Sequence, residues 1–293
     1  MKQVQALLLA MRPRQWTKNA VIFAALVFDR QLGVNNIPPM LRTIAGFLVF
    51  CALSGVVYIF NDIADIESDR EHPQKRNRPI ASGALPISLA RLVVIIILCI
   101  VLPFAYYLSW QFFLVSLIYL LLNLAYSHWL KHIMLIDVLT IALFFVLRVA
   151  AGVTLIEVAR FSPWLYVVMT MGALYIGFGK RRAELGLLLN DAGKFRKVLS
   201  GYTIPILDQY ITIVSAMTIV SYSLYTFSAP NVPDNHIMML TNPFVMYGVF
   251  RYLYLVQSGF QASTPEDILL SDRPLQVTIL LWGVSVLLIF YIF

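Results

Sequence analysis

The sequence predicts an all-α polytopic membrane protein, a bundle of nine transmembrane helices. Three observations carry that prediction. Only 13% of the 293 residues are charged and 60% are hydrophobic, whereas soluble domains carry roughly a quarter charged residues. Mean hydropathy is +0.78. Several stretches of about 18 or more residues are nearly free of charge, the length a helix needs to cross a bilayer core. A soluble helical protein would show polar outer faces. A membrane β-barrel would show short alternating segments instead of continuous runs.

The apolar runs place helices at 19–34, 40–61, 86–108, 110–127, 133–156, 161–179, 204–228, 241–257 and 275–293. The first is short, and Asp29 and Arg30 interrupt it. Pro163, Pro205, Pro243 and Pro274 each stand near a proposed first turn, where a missing N–H costs little. The early apolar stretch is interrupted by Arg12, Arg14 and Lys18, so no cleavable signal peptide is expected. Cys51 and Cys99 lie inside apolar runs and read as small hydrophobes. With the N-terminus inside, 18 of the 22 Lys and Arg residues fall on the inner side. Arg30, Arg42 and Arg160 fall outside, and Arg148 lies within a helix. That asymmetry is a positive-inside pattern, and it turns the loops after helices 2, 4, 6 and 8 toward the cytoplasm, as in a protein of the plasma (inner) membrane. The excess positive charge is accounted for by these loops, so no nucleic-acid partner is expected. No soluble domain is visible, and residues 1–293 read as one membrane domain. No two glycines are four apart, so the simplest tight-dimer signal is missing, and a homo-oligomer stays open.

The densest charge lies in NDIADIESDREHPQKRNRPIASG, residues 61–83. Asp62, Asp65 and Asp69 are spaced by three and four residues. On a continuing helix they would share one face. Carboxylates gathered in this way repel unless a cation sits between them, and oxygen ligands at a membrane surface suit Mg²⁺, which shares its shell with substrate phosphates. Asn61 can add an amide oxygen, while Glu67 points to another face. The alternative is a solvated acidic face paired with the neighbouring cations. Those cations, Arg70, Lys75, Arg76 and Arg78, can anchor to lipid headgroups or clamp phosphate; a clamp is expected of one or two of them.

Three further groups can carry chemistry. Tyr126 and Lys131 lie in the short inner loop between helices 4 and 5. Asp137 follows in the first turns of a membrane helix, where an acid is costly and points to function. Arg148 lies eleven residues, about three turns, further along, with a packing role as the equal alternative. The stretch Lys180-Arg181-Arg182-Ala183-Glu184 ends helix 6. Its cations spread around the helix, so only some can meet one site, and Lys180 and Glu184 share a face. Near the start, Arg12, Arg14 and Lys18 surround Trp16 as an interfacial anchor, with Lys18 able to reach a cytoplasmic cavity. No Gly-rich phosphate loop, nucleophile elbow or Cys/His cluster is present.

Asn61-Asp62-x-x-Asp65-x-x-x-Asp69 resembles the NDxxDxxxD motif of the UbiA superfamily of intramembrane prenyltransferases. RPRQWTKN, DREHPQKRNRPIASG, YSHWLKH with IDV, LRVAAG, GKRRAEL, RYL and SDRPL resemble one branch of it. The resemblance implies nine helices around a cavity with a cytoplasmic mouth. It also implies Mg²⁺-dependent transfer of phosphoribose from phosphoribosyl pyrophosphate to a polyprenyl (decaprenyl) phosphate, toward lipid-linked arabinose for the cell wall. Typical members carry a second aspartate-rich motif after helix 6; here the corresponding stretch is KRRAEL, which suits bare phosphate instead of a second metal. By this resemblance Asp62, Asp65 and Asp69 hold the metal. Lys131, with Lys180 or Arg181, would hold phosphates, and Asp137 would meet the ribose or its developing positive charge. A prenyltransferase acting on a prenyl diphosphate is the alternative. A transporter is a rival of another class, but it would place its charged site at the midplane.

Overall fold

The computed structural model describes residues 2–33, 36–71, 75–158, 162–190, 197–258, 268 and 271–292. Arg160, Asp191, Lys194 and Arg196, together with the expected helix ends at 34, 161 and 293, lie outside the described residues.

Helix follows helix, with no strand among the described residues. α1 is Lys2–Ala10. A 3-10 stretch, Pro13–Phe23, leads into a short α2, Ala24–Phe28. α3 is Ile37–Ala64, α4 is Ile66–Glu71, α5 is Ile87–Leu108 and α6 is Trp110–His128. α7 is Ile136–Val153, α8 is Pro163–Asn190 and α9 is Ile204–Ser228. α10 is Asn242–Gln257 and α11 is Arg273–Ile292. Short 3-10 turns at Lys75–Asn77, Leu130–His132, Lys197–Gly201 and Ile237–Thr241 join them.

The boundaries follow local chemistry. Pro163 opens α8, and proline also stands in the first positions of α3, α9 and α10, where no backbone donor is lost. Thr203 caps α9, its hydroxyl accepting from Ile206 N. Ser109, extended at φ −169, separates α5 from α6. Among the described residues, six helices, α3, α5, α6, α7, α9 and α11, are long and apolar enough to cross a membrane. Their outer faces stay apolar: Ile100 on α5 and Leu280 on α11 are about two-thirds exposed. Apolar faces this extensive belong against lipid, and the protein is an integral membrane protein. The expected first helix at 19–34 forms differently. Residues 13–23 wind as 3-10 helix, and α2 ends at Phe28, just before Asp29 and a left-handed Arg30. α10 has 16 residues; α8 is interrupted by Thr, Gly and Tyr and carries the charged run Lys180–Glu184 before its last turn.

The backbone groups into two compact units. The first, 1–128 with 147–158, is centred on α3. Val56, Ile59, Ile80, Leu85 and Ala90 pack in its core. The second, 129–146 with 159–293, is built around α8 and α9. Val138, Phe178, Leu207, Ile211 and Tyr252 form its core.

Candidate active site

In the first unit, α3 carries Asp62 into its last turn and stops. Asp65 takes the C-cap with φ −95 and ψ 10, its N–H donating to the Asn61 carbonyl. α4 then restarts the helix and delivers Asp69. Asp62 and Asp69 are both buried, and they converge on one guanidinium. Arg78 Nη1 lies 3.2 Å from Asp62 Oδ1 and 2.6 Å from Asp69 Oδ2. Arg12 Nη2 approaches Asp62 Oδ1 to 2.5 Å, with its guanidinium 4.7 Å from the centre of the Tyr58 ring. Arg12 is left-handed at φ 52, a strained backbone for a residue with a Cβ. Arg70 donates to the Ala81 carbonyl at 3.2 Å and so ties α4 to the turn that carries Arg78. Lys75 and Arg76 are exposed. Of the cations at 70–78, Arg78 reaches both buried acids.

The expected one-face triad is therefore altered by the break at Asp65. Among the described residues no three His, Cys, Asp or Glu side chains gather as a metal-holding group. Two buried carboxylates directed at one cation, with a half-buried third between them in sequence, still fit a hard divalent ion. Mg²⁺ takes one or two carboxylates and completes its shell with water and phosphate oxygens.

In the second unit, Asp137 sits in the first turn of α7 and is fully buried, as is Arg181 of α8. Arg181 Nε lies 2.8 Å from Asp137 Oδ2. That pair of atoms does not meet hydrogen-bond geometry, so the contact is one of opposite charges. Arg181 also pairs with Glu184 on the next turn. Tyr202 donates to Asp137 Oδ1 at 3.0 Å. Burial pushes the Tyr202 hydroxyl pKa up, which keeps it a proton donor. Both Asp137 oxygens are thus engaged by the protein. The structure sets Asp137, expected to meet ribose, against Arg181 and Tyr202; a buried cation needs such a counter-charge. Glu184, which shares a face with Lys180, pairs with Arg181. Arg182 turns away, 2.6 Å from Asp208 Oδ1 and 2.9 Å from the Val256 carbonyl, and fastens α8 to α9 and α10. Lys131 and Lys180 are half-buried, and so are Lys18 and Tyr126 of the first unit.

Arg148 belongs to another arrangement. Its Nε donates to Asn19 Oδ1 at 2.8 Å and its Nη2 to Tyr119 OH at 2.9 Å. Asn19 reaches Ser54 Oγ at 3.3 Å, and Ser54 Oγ is 3.2 Å from Tyr119 OH. Four residues on, Gly152 meets the same 3-10 stretch: a Cβ there would lie 2.1 Å from the Ile22 carbonyl oxygen. The LRVAAG stretch therefore packs closely here, and Arg148, expected either to meet substrate or to fix packing, is held in this network. Sequence reasoning missed Arg12 as a partner of Asp62, and it missed Tyr202, Asn19 and Tyr119. Isolated polar residues in apolar runs signal Asn19 and Tyr119; nothing local signals Tyr202.

Residues 20–179 match the UbiA prenyltransferase family. Decaprenyl-phosphate phosphoribosyltransferase from Mycobacterium tuberculosis is 34% identical over 279 residues, covering 94% of this chain and 91% of its own. The enzyme of that name from Corynebacterium glutamicum is 34% identical over 290 residues, covering 97% and 86%. A solved UbiA homolog from Archaeoglobus fulgidus, bound to DMAPP and Mg²⁺, shares the fold with a TM-score of 0.71 at 18% identity, over 98% of this chain and 99% of that one.

Proposed function

Because the chain belongs to the UbiA prenyltransferase family, we propose that it transfers 5-phosphoribose from phosphoribosyl pyrophosphate to a polyprenyl phosphate, decaprenyl phosphate foremost, releasing pyrophosphate. The observation that carries this reading is 34% identity, sustained over 94% of the chain, to decaprenyl-phosphate phosphoribosyltransferase. The cationic end of α8 agrees with it. Both the donor's 5-phosphate and the lipid phosphate are anions to be held, and cations hold them where a second acidic motif would not.

In the reaction, the bond from the anomeric carbon to the pyrophosphate oxygen breaks. A bond from a lipid phosphate oxygen to that carbon forms on the opposite face. The acceptor is ionised at neutral pH, so no strong general base is needed, which agrees with the scarcity of His. Mg²⁺, when bound, supplies charge neutralisation for the departing pyrophosphate. Asp62 and Asp69, with Asp65, would hold it. Arg78 and Arg12 add donors for the same pyrophosphate once their carboxylates take the metal, and Lys18, Asn61, Arg70, Lys75 and Arg76 border them in sequence. Lys131 and Lys180 grip phosphate, with Tyr126 nearby in sequence in the last turn of α6. Asp137, Arg181 and Glu184 fix the turn of α8 from which Lys180 projects. Catalysis is then chiefly positioning and electrostatics. Residues 1–293 act as one catalytic domain that crosses the plasma membrane nine times, with the N-terminus inside and the reaction on the cytoplasmic face. The Lys and Arg asymmetry supports that orientation.

The test uses detergent-purified protein with Mg²⁺, labelled phosphoribosyl pyrophosphate and decaprenyl phosphate. A parallel reaction contains a prenyl diphosphate and 4-hydroxybenzoate. Label should enter the lipid fraction in the first reaction; transfer in the second alone would sink the proposal.

A further inference from the structure

The turn that joins α6 to α7 is held by a residue from far along the chain. Within it, residues 129–137 are knitted locally. His132 N donates to the Trp129 carbonyl, Ile133 N to the Leu130 carbonyl and Asp137 N to the Ile133 carbonyl. Leu135 breaks the pattern. Its backbone is left-handed at φ 67, a conformation a leucine holds only when its surroundings impose it. Its N–H donates instead to Tyr202 OH at 2.8 Å, and the same hydroxyl donates to Asp137 Oδ1 at 3.0 Å. Tyr202 is buried in the second unit's core with Met134 and Leu135 packed against that core. Gly201 lies beside the turn, where a Cβ would come 2.9 Å from Sδ of the flexible Met134 side chain.

We infer that Tyr202 is a positioning residue: one hydroxyl pins the strained Leu135 and the Asp137 carboxylate together, and so sets the turn that presents Lys131. This rests on the reading of Lys131 as a phosphate-gripping residue. Lys131 stands four residues before Leu135, inside the Leu130–His132 turn. A lysine's grip on phosphate depends on where its flexible stem begins, and here the turn fixes that point. Removing the hydroxyl strips an acceptor from the Leu135 N–H and a donor from Asp137 at once. The turn then relaxes from its left-handed conformation, and Lys131 loses its fixed origin while keeping its charge.

The experiment is a double-mutant cycle of Tyr202→Phe and Lys131→Ala, read as KM and kcat for phosphoribosyl transfer. Tyr202→Phe should raise KM for the donor or for the lipid phosphate by about tenfold, in the range one hydrogen bond to a charged group supplies. Its kcat should stay within about threefold. If Tyr202 works through Lys131, the double variant binds no worse than Lys131→Ala alone. Gly201→Ala is the control for a structural effect, since it crowds Met134 and leaves the hydroxyl in place. It should lower the melting temperature without moving either KM. Multiplying KM effects in the cycle, unchanged KM in Tyr202→Phe, or equal KM rises in Tyr202→Phe and Gly201→Ala would overturn the inference. Binding of inorganic pyrophosphate and of inorganic phosphate by calorimetry reads the same cycle without turnover. A wild-type chain that binds either anion but transfers nothing counts against the proposed reaction. The clamp is then judged on anion affinity, where additive losses reject it and non-additive losses support it.

Discussion

The two units each bury acid and base together, but they expose opposite partners. In the first, Asp62 and Asp69 are sealed, with side chains 2% exposed, while Arg12 and Arg78 remain 31% and 27% exposed. In the second, Arg181 is sealed at 1% and so is Asp137, and Glu184 is the partly open member at 25%. A side chain that keeps contact with water can swing away at little cost. A buried one whose charge is matched cannot move without leaving its partner uncompensated. The first centre therefore has fixed acids and exchangeable cations, as the proposed entry of a metal ion and a pyrophosphate requires. The second has a fixed ion pair and works as a rigid support. Arg148 adds a third solution: a buried guanidinium held by the neutral oxygens of Asn19 and Tyr119, which locks the 3-10 stretch that follows Arg12.

The largest expected effect tests the first centre. Asp62→Asn keeps size and hydrogen-bonding capacity but removes one of the two converging charges. Transfer should fall by about a thousandfold or more, in line with loss of a principal electrostatic contact at the reacting group. Arg12 and Arg78 can turn to water, so the melting temperature should change little. Activity within tenfold of wild type would remove Asp62 from the metal-holding set, and collapse of the fold would show that its arginines are not exchangeable.

The second centre should respond in the opposite order, with stability first. Arg181→Gln leaves Asp137 buried and uncompensated, which costs about 3–5 kcal/mol in comparable buried pairs. Arg181→Met combined with Asp137→Leu removes both charges and should recover most of that loss, while transfer stays low because α8 no longer presents Lys180 correctly. Denaturant or thermal melting in detergent separates the two variants. If the double variant is as unstable as Arg181→Gln, the pair is not the source of the cost.

The contrast also explains what could be read from sequence. The runs at 40–61, 86–108, 110–127, 204–228 and 275–293 came out within a few residues, because length and continuous apolarity determine a membrane helix. The stretch at 19–34 did not. Its 3-10 geometry depends on Asn19 and Ile22 meeting Arg148 and Gly152, residues over a hundred positions away. The charged residues of both centres were visible as types, since charge is scarce in this chain. Their pairings were not. Arg12 and Asp62 are fifty residues apart, and Tyr202 is one of 15 tyrosines, sixty-five residues from Asp137. Packing decides such partners, and no local spacing encodes them. The break at Asp65 was hidden for the same reason: DIADIESD has no helix-breaking residue, and the turn that carries Arg78 draws Asp69 toward Asp62.

The smallest expected effect lies outside both centres and shows what an ion pair near water contributes. Arg251 Nη2 is 2.7 Å from Asp272 Oδ2, and Asp272 Oδ1 accepts from Leu275 N as the cap of α11. The hydrogen bond from Arg251 holds the Asp272 carboxyl below its ordinary range. The folded chain therefore binds that proton less tightly than the unfolded chain, whose aspartates titrate near about 3.9. The stabilisation is present above that value and is lost as pH falls through the lower, folded-state value. Asp272→Asn isolates the charge, because asparagine caps a helix about as well as aspartate. At pH 7 the variant should melt slightly below wild type, and the gap should close as pH drops below about 4. A gap that does not shrink at all as pH falls below about 4 would assign the contribution to the cap and not to the charge on Arg251.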